Sequence, residues 1–373
     1  MHYRQYGRTG RLISRFSLGL MRCLDSAAQL EAVLDAAWRL GINHFETAQS
    51  YGPSEAYLAQ ALHSLQLPRD QVIITTKILP DRDPQQMVEA VLRSRDRLGI
   101  DSIDCLALHG LNQPEHLQQA IAALPALQTL QAEGVFQHLG FSSHGDRELI
   151  LEAIATDAFD FVSLHYYLLF QRHAPVIEAA AAKNLGIFII SPVDKGGLLH
   201  QPSAQLIEDC QPFSPLALNY RFLLSDRRIT TLSFGAAKAE ELAVLQDFVD
   251  ADQPLSLEEA EAIARLEQVR QQRLGRDYCQ QCYACLPCPE AINIPEVLRL
   301  RNLAIAHDMQ AYGRYRYRMF ENAGHWFPGQ RGSRCTDCGD CLPRCPHHLP
   351  IADLVRDADQ RLAGAPRRRL WGD

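Results

Sequence analysis

Ile42-Asn43-His44-Phe45-Glu46-Thr47-Ala48-Gln49-Ser50-Tyr51-Gly52-Pro53-Ser54-Glu55 begins as a short apolar run, Ile42–Thr47, and passes directly into a polar turn closed by Gly52-Pro53. Seven further runs of the same kind stand at Phe16–Leu20, Val72–Lys77, Ile103–His109, Gln137–Ser142, Phe161–His165, Ile187–Ser191 and Thr230–Gly235. From residue 17 to about 250 these runs alternate with helical periodicity, the signature of repeated βα units around a parallel sheet. Leu30, Val33, Leu34 and Ala37 form one such helical face, started by Ser26 and stopped by Gly41. Similar faces recur at Leu117, Ile121 and Leu124 and around Ile150, Leu151 and Ile154. Eight strands is the number that closes a TIM (β/α)8 barrel, and Gly7-Arg8-Thr9-Gly10 supplies the turn of an N-terminal hairpin that would plug its bottom.

The chain has 373 residues, more than the roughly 250 of one such barrel, so a second domain is expected. A content of 47% hydrophobic and 22% charged residues excludes general disorder. The net charge of −7 argues against a nucleic-acid surface over the whole molecule. Charge is unevenly spread: residues 270–373 hold 16 Arg, no Lys and 11 Asp or Glu, a net +5, which leaves −12 on the first 269. No run approaches the roughly 18 to 20 apolar residues of a membrane span, and Met1-His2-Tyr3-Arg4-Gln5 opens without an apolar signal core, so a cytoplasmic location and no membrane contact are expected. A charged helix over about 255–274 leads out of the barrel, which places the domains at 1–274 and 275–373.

Eleven cysteines in such a chain point to metal rather than to disulfides, and eight of them lie beyond residue 278. They form an internal repeat. Cys335, Cys338, Cys341 and Cys345-Pro346 have the C-x2-C-x2-C-x3-C-P spacing of bacterial iron–sulfur ferredoxins, whereas Cys279, Cys282, Cys285 and Cys288-Pro289 are one residue short before the fourth Cys. Where two clusters are held, the fourth Cys of each motif ligates the other cluster. By that rule Cys279, Cys282, Cys285 and Cys345 hold one [4Fe–4S] cluster, and Cys335, Cys338, Cys341 and Cys288 the other. One cluster with a zinc or vacant site, and zinc alone, remain open alternatives. The linker predicts a helix over Val297–Met319, giving a mainly α-helical ferredoxin-like domain. Tyr312-Gly313-Arg314-Tyr315-Arg316-Tyr317 interleaves rings with cations, but packing and neutralisation of cluster charge account for it better than nucleic-acid stacking. Arg367-Arg368-Arg369 reads as a solvated tail, and Cys23, Cys105 and Cys210 read as core thiols, with a reactive role left open for Cys23.

Active sites of TIM barrels lie at the C-terminal ends of the strands. There the chain carries Glu46, Tyr51-Gly52-Pro53-Ser54-Glu55, Lys77 and, after Ile103-Asp104, His109. With the opening hairpin, these residues make roughly residues 2–250 resemble the aldo/keto reductase family. The resemblance implies Tyr51 as proton donor, Lys77 and Glu46 as the pair that adjusts it, and His109 as the residue orienting a carbonyl. A phenol with an ordinary pKa of about 10 becomes a useful acid only beside a cation, and an acid–Lys pair holds that cation in place. Glu46 stands where the family has Asp, so its carboxylate sits roughly 1.5 Å further out and the Lys77 contact has to be rebuilt.

The family's nicotinamide partners, a Ser-Asn pair and a Gln, are matched here by Ser142-Ser143-His144 and Ser163, with Tyr166 or Tyr167 offering a ring to stack. The resemblance further implies a pyrophosphate loop at Ser191-Pro192 and Lys195-Gly196-Gly197-Leu198. A dinucleotide-phosphate region would follow at Gly235, Lys238 and Glu241, where Lys238 facing a 2′-phosphate favours NADP(H). The whole then reads as an oxidoreductase that reduces a small-molecule carbonyl with NAD(P)H while its clusters exchange electrons or regulate. A second reading has an acidic carrier such as ferredoxin feeding electrons through the clusters, with nicotinamide weak or absent. A third makes the barrel a non-catalytic, redox-sensing scaffold.

Overall fold

The computed structural model describes residues 1–193 and 198–366, with the backbone alone at Leu198. Two compact units emerge: Met1–Pro192 with Tyr220–Pro254, and Val193–Asn219 with the chain from Leu255 onward.

The first unit is a TIM barrel. A hairpin of β1 (Tyr3–Gln5) and β2 (Leu12–Ser14) precedes eight parallel strands: β3 (Phe16–Gly19), β4 (His44–Glu46), β5 (Ile73–Ile78), β6 (Ile103–His109), β7 (Phe136–Ser142), β8 (Phe161–Leu164), β9 (Gly186–Ile189) and β10 (Thr231–Phe234). The sheet closes when β10 pairs with β3 through Leu232↔Phe16 and Phe234↔Leu18. Each barrel strand overlaps its sequence-predicted run, differing by no more than two residues at either end. Helices such as Ala27–Arg39, capped by the Ser26 hydroxyl, bury Leu30, Val33, Leu34 and Ala37 as their periodicity requires. Among the described residues no helix is long and apolar enough to cross a membrane.

The hairpin closes the end of the barrel where the strands begin. Gly7 and Gly10 hold positive φ in its turn. The fully buried Tyr6 packs its ring 5.2 Å from that of Phe161 and 6.1 Å from that of His44, over a core of Ile13, Ile73, Cys105, Ala107 and Phe188. Gly186 is required here, because a Cβ would lie 2.2 Å from the Tyr6 ring. His44 is the polar centre of this layer: Nδ1 meets Ser17 Oγ at 2.5 Å, Nε2 meets Thr75 Oγ1 at 2.7 Å, and Ser17 continues to Thr231 Oγ1.

In the second unit the cysteine repeat is also a repeat of backbone conformation. Gln281 and Asp337, at the third position of each motif, share left-handed φ values of 57° and 58°; Tyr283 and Gly339 at the fifth do the same, as do Ala291 and His348, three residues after each fourth Cys. Ala291 donates its N–H to the Cys288 carbonyl and His348 donates to that of Cys345, after which helices Ile294–Ala306 and Ile351–Leu362 begin. The predicted single helix over Val297–Met319 is broken. It becomes Ile294–Ala306 and Gln310–Tyr317, because Asp308 is left-handed and the buried His307 turns its Nδ1 to Asp209 at 2.9 Å. Asp209 also receives Arg273 at 2.6 Å, and this buried knot gathers Val193–Asn219 and helix Leu257–Leu274 into the cysteine-rich unit, although the sequence placed the boundary at 274. Arg299 pairs with Glu296 at 2.7 Å and Arg301 with Asp357 at 2.6 Å, while the Arg316 guanidinium lies 4.3 Å from the centre of the Phe327 ring. All three arginines are buried, as are Tyr312, Tyr317 and Phe320, so the interleaved segment packs the unit. The run Arg367–Arg369 falls outside the described residues.

Burial holds the His44 imidazole neutral, lowering its pKa to about 3. Unfolded chains take up that proton near pH 6.5 and the folded barrel does not, so stability conferred by His44 is complete above that pH and lost on acidification toward pH 3. Denaturant unfolding from pH 6 to pH 4 is expected to show a contribution of about 1.4 kcal/mol per pH unit that is absent in His44→Gln.

Candidate active site and metal centres

β4 and β5 carry the centre of the barrel's open end. Glu46 is paired with Thr75, so Lys77, two residues on, projects from the same face one pleat higher. Lys77 is 2% exposed and spends its ammonium on three acceptors: the Glu46 carboxylate, the Thr47 carbonyl at 2.9 Å and the Tyr51 hydroxyl at 3.1 Å. Burial pushes the Lys77 pKa well below its usual range, and contact with Glu46 acts in the opposite sense. The longer Glu46 side chain does reach Lys77. Gly19 of the adjacent strand makes the room, since a Cβ there would stand 3.3 Å from Glu46 Oε2.

Tyr51 is held by the turn after β4, which rides along β5 through hydrogen bonds from Thr47 N to Thr75 O and from Gln49 N to Lys77 O. His109, buried at the end of β6, sets its ring edge-on to that of Tyr51 at 5.5 Å and 84°. The structure thus brings Glu46, Tyr51, Lys77 and His109 together. Ser54 and Glu55, from the same sequence signature, serve the scaffold instead: Ser54 accepts from Thr47 Oγ1 at 2.8 Å and Glu55 from Thr76 Oγ1 at 2.6 Å.

The candidates for nicotinamide are less uniform. His109, Ser142 and Ser163 lie in register across β6, β7 and β8. Ser142 Oγ accepts from Gly110 N at 3.0 Å. Ser143 is committed to its own turn, donating to the Leu111 carbonyl at 2.6 Å and accepting from Gly145 N at 3.0 Å. Ser163 Oγ is fully buried with no hydrogen-bond partner among the described residues, and is the hydroxyl that a ligand amide could engage. Tyr166 leans on Phe222 with ring centres 5.6 Å apart, whereas Tyr167 stacks on Phe170. The residues succeeding Ser143 and following Ser163 give a contact that sequence reasoning missed: His144 Nδ1 meets His165 Nε2 at 2.7 Å. Ser191, two residues beyond β9, holds φ +51°. Gly196 and Gly197 lie outside the described residues, and Leu198 opens the short turn Leu198–His200. Gly235, Lys238 and Glu241 belong to one local knot. Arg22 donates to the Gly235 carbonyl at 2.9 Å and pairs with Glu241 at 3.2 Å, Glu241 accepts from Ala237 N at 3.1 Å, and Lys238 is exposed.

In the second unit each group of four cysteines rings one hollow. Cys279, Cys282, Cys285 and Cys345 line one with Pro295, Leu298 and Leu349; Cys288, Cys335, Cys338 and Cys341 line another with Ile292, Ile294 and Val355. Ile351 lines both. The fourth Cys of each motif therefore crosses to the hollow of the other. Burial pushes the Cys279 thiol up to about 11 and that of Cys285 up to about 12. A four-thiol hollow with apolar walls fits a [4Fe–4S] cubane. Cys23 and Cys210 are buried and each is pushed up to about 12, and Cys105 is raised further still, so all three are core thiols.

Residues 16–211, more than half of the chain, match the aldo/keto reductase family model. The chain belongs to the aldo/keto reductase family. Residues 278–349, which include all eight clustered cysteines, match a 4Fe-4S dicluster domain. Among aldo/keto reductase relatives, D-threo-aldose 1-dehydrogenase of a Pseudomonas species is 30% identical over 46% of this chain and 61% of its own length. NADH-specific methylglyoxal reductase of Escherichia coli is 24% identical over 69% of this chain and 98% of its own. The holo form of an aldo-keto reductase from Bacillus halodurans superposes with a TM-score of 0.61 at 22% identity, covering 71% of this chain and 96% of that one, a likeness of fold.

Crossed ligation predicts a non-additive result. Cys345→Ser and Cys279→Ser are each expected to lower iron from about eight to about four per chain, and the double variant to lose no more. Cys345→Ser with Cys335→Ser, by contrast, is expected to empty both sites, as read by iron and sulfide content.

Proposed function

We propose that this protein reduces the carbonyl group of a small molecule with NAD(P)H in its barrel, and that two [4Fe–4S] clusters on its cysteine-rich unit exchange electrons with a partner. The observation that carries the first half is the threefold commitment of Lys77. An ammonium has three N–H groups, and here they meet Glu46, Thr47 and Tyr51. The Tyr51 oxygen accepts from Lys77, and once the phenol has given its proton to a carbonyl oxygen the phenolate left behind faces a cation. Glu46 offsets the buried charge of Lys77, which would otherwise be costly so deep in the barrel. His109 beside Tyr51 supports the same oxygen. A bound nicotinamide would supply the hydride, and the orphaned Ser163 hydroxyl would hold its carboxamide. Exposed Lys238 favours NADP(H), although the relative from Escherichia coli is named for NADH. Its methylglyoxal and the aldose of the Pseudomonas enzyme are both small polar carbonyl compounds, and that substrate class is proposed here.

The commitment of Ser143 to its own turn favours a second reading, in which nicotinamide binds weakly and an acidic carrier such as ferredoxin supplies electrons through the clusters. Two clusters carry one electron each, and together they match the two electrons that carbonyl reduction needs. Eleven cysteines without a disulfide among them suit a reducing compartment, and a cytoplasmic location is part of the proposal.

Anaerobic titration with NADPH, NADH and a low-potential reductant, followed by absorbance and EPR, separates the two. Saturable nucleotide binding with aldehyde-dependent turnover supports the first; clusters reduced only by the chemical reductant, with no nucleotide binding, support the second. Tyr51→Phe is expected to lower turnover of an aldehyde by roughly 10²- to 10⁴-fold while leaving nucleotide binding and iron content unchanged. Unchanged turnover in that variant would remove Tyr51 as the acid.

A further inference from the structure

His109 is touched by two consecutive residues of one turn. Tyr51 presents its ring edge-on, and Ser50 places its hydroxyl oxygen 3.1 Å from His109 Nδ1. The position of Ser50 is fixed by backbone rather than by its own side chain: Gln49 N bonds the Lys77 carbonyl at 2.9 Å and Tyr51 N closes on the Ala48 carbonyl at 3.0 Å. The residue itself is exposed at the rim of the open end, while the ring that it meets is buried. No packing demand therefore selects a serine here, and the one polar contact that its side chain makes among the described residues is with His109.

We propose that Ser50 is a positioning residue that donates its hydroxyl hydrogen to His109 Nδ1 and so keeps the ring in the tautomer with its hydrogen on Nε2. A neutral imidazole carries one ring hydrogen, and a carbonyl oxygen can only accept. Occupying Nδ1 as an acceptor leaves Nε2 as the donating atom, and the ring is then fixed both in tautomer and in angle against Tyr51. The substrate oxygen is then met by two donors, the Tyr51 hydroxyl carried by this turn and His109 Nε2 at the end of β6, the latter oriented by Ser50. This assignment rests on the reductase reading of the barrel.

The test compares Ser50→Ala with Ser50→Thr in the iron-loaded full-length protein. Ser50→Ala is expected to lower kcat for an aldehyde by roughly 5- to 10-fold, the worth of about one hydrogen bond, with the KM for nucleotide and the thermal midpoint unchanged; Ser50→Thr restores the rate. In ¹⁵N-histidine-labelled protein, with His109→Asn to assign the resonances, wild type is expected to show a pyridine-like Nδ1 and a pyrrole-like Nε2, and Ser50→Ala a mixture of tautomers. An unchanged kcat in Ser50→Ala, or His109 resonances that do not move, overturns the proposal. Wild-type protein inactive with both nucleotides would overturn the reductase reading and the role in turnover with it, while the resonances would still decide whether Ser50 sets the ring.

Discussion

A buried ammonium has to satisfy three donors and one charge at once, and at Lys77 the local architecture is arranged around that demand. Glu46 answers the charge, Thr47 lends a carbonyl that would otherwise face the barrel axis, and the remaining donor defines where a phenol must stand. The turn from Thr47 to Tyr51 can place that phenol because its backbone continues the hydrogen bonding of β4 onto β5 up to Lys77 itself. Cation and acid are thus carried by adjacent strands joined by one ladder, and neither can drift without breaking the other's contacts. Where a shorter carboxylate is the family pattern, Glu46 brings an extra methylene, and the absence of a Cβ at Gly19 takes up the difference.

The cysteine-rich unit solves a different electrostatic problem. Thiolates that hold iron would bring negative charge into a small domain, and this segment carries arginines both inside it and on its face. Arg299, Arg301 and Arg316 are buried among carboxylates, rings and helix surfaces, whereas Arg273, Arg276, Arg314, Arg334, Arg356 and Arg361 are exposed.

The barrel was legible in the sequence because each strand is a short apolar run bounded by turn chemistry, and period and spacing survive without tertiary information. The candidate quartet was legible because Glu46, Lys77 and His109 lie at the ends of consecutive strands and Tyr51 in the turn that follows the first of them. The crossing of Cys288 and Cys345 followed from motif spacing, and the one-residue deficit in the first motif did not prevent it. The grouping of Val193–Asn219 with the second unit was not legible. It depends on Asp209 meeting Arg273 and His307, residues 64 and 98 positions away, and no local pattern announces such a meeting. The break at His307-Asp308 has the same origin, since a buried hydrogen bond overrides helical periodicity. The pairing of His144 with His165 and the reach of Ser50 to His109 join residues on different strand ends, where only the closed sheet sets the distance.

Ile351 opens a helix and contributes to the walls of both thiol-lined hollows. A shared wall makes the two chambers a single piece of packing: enlarging the side chain crowds both at once, and trimming it opens a passage where there had been an insulating layer of hydrocarbon. The two halves of the duplicated segment thus meet at one isoleucine that faces both hollows.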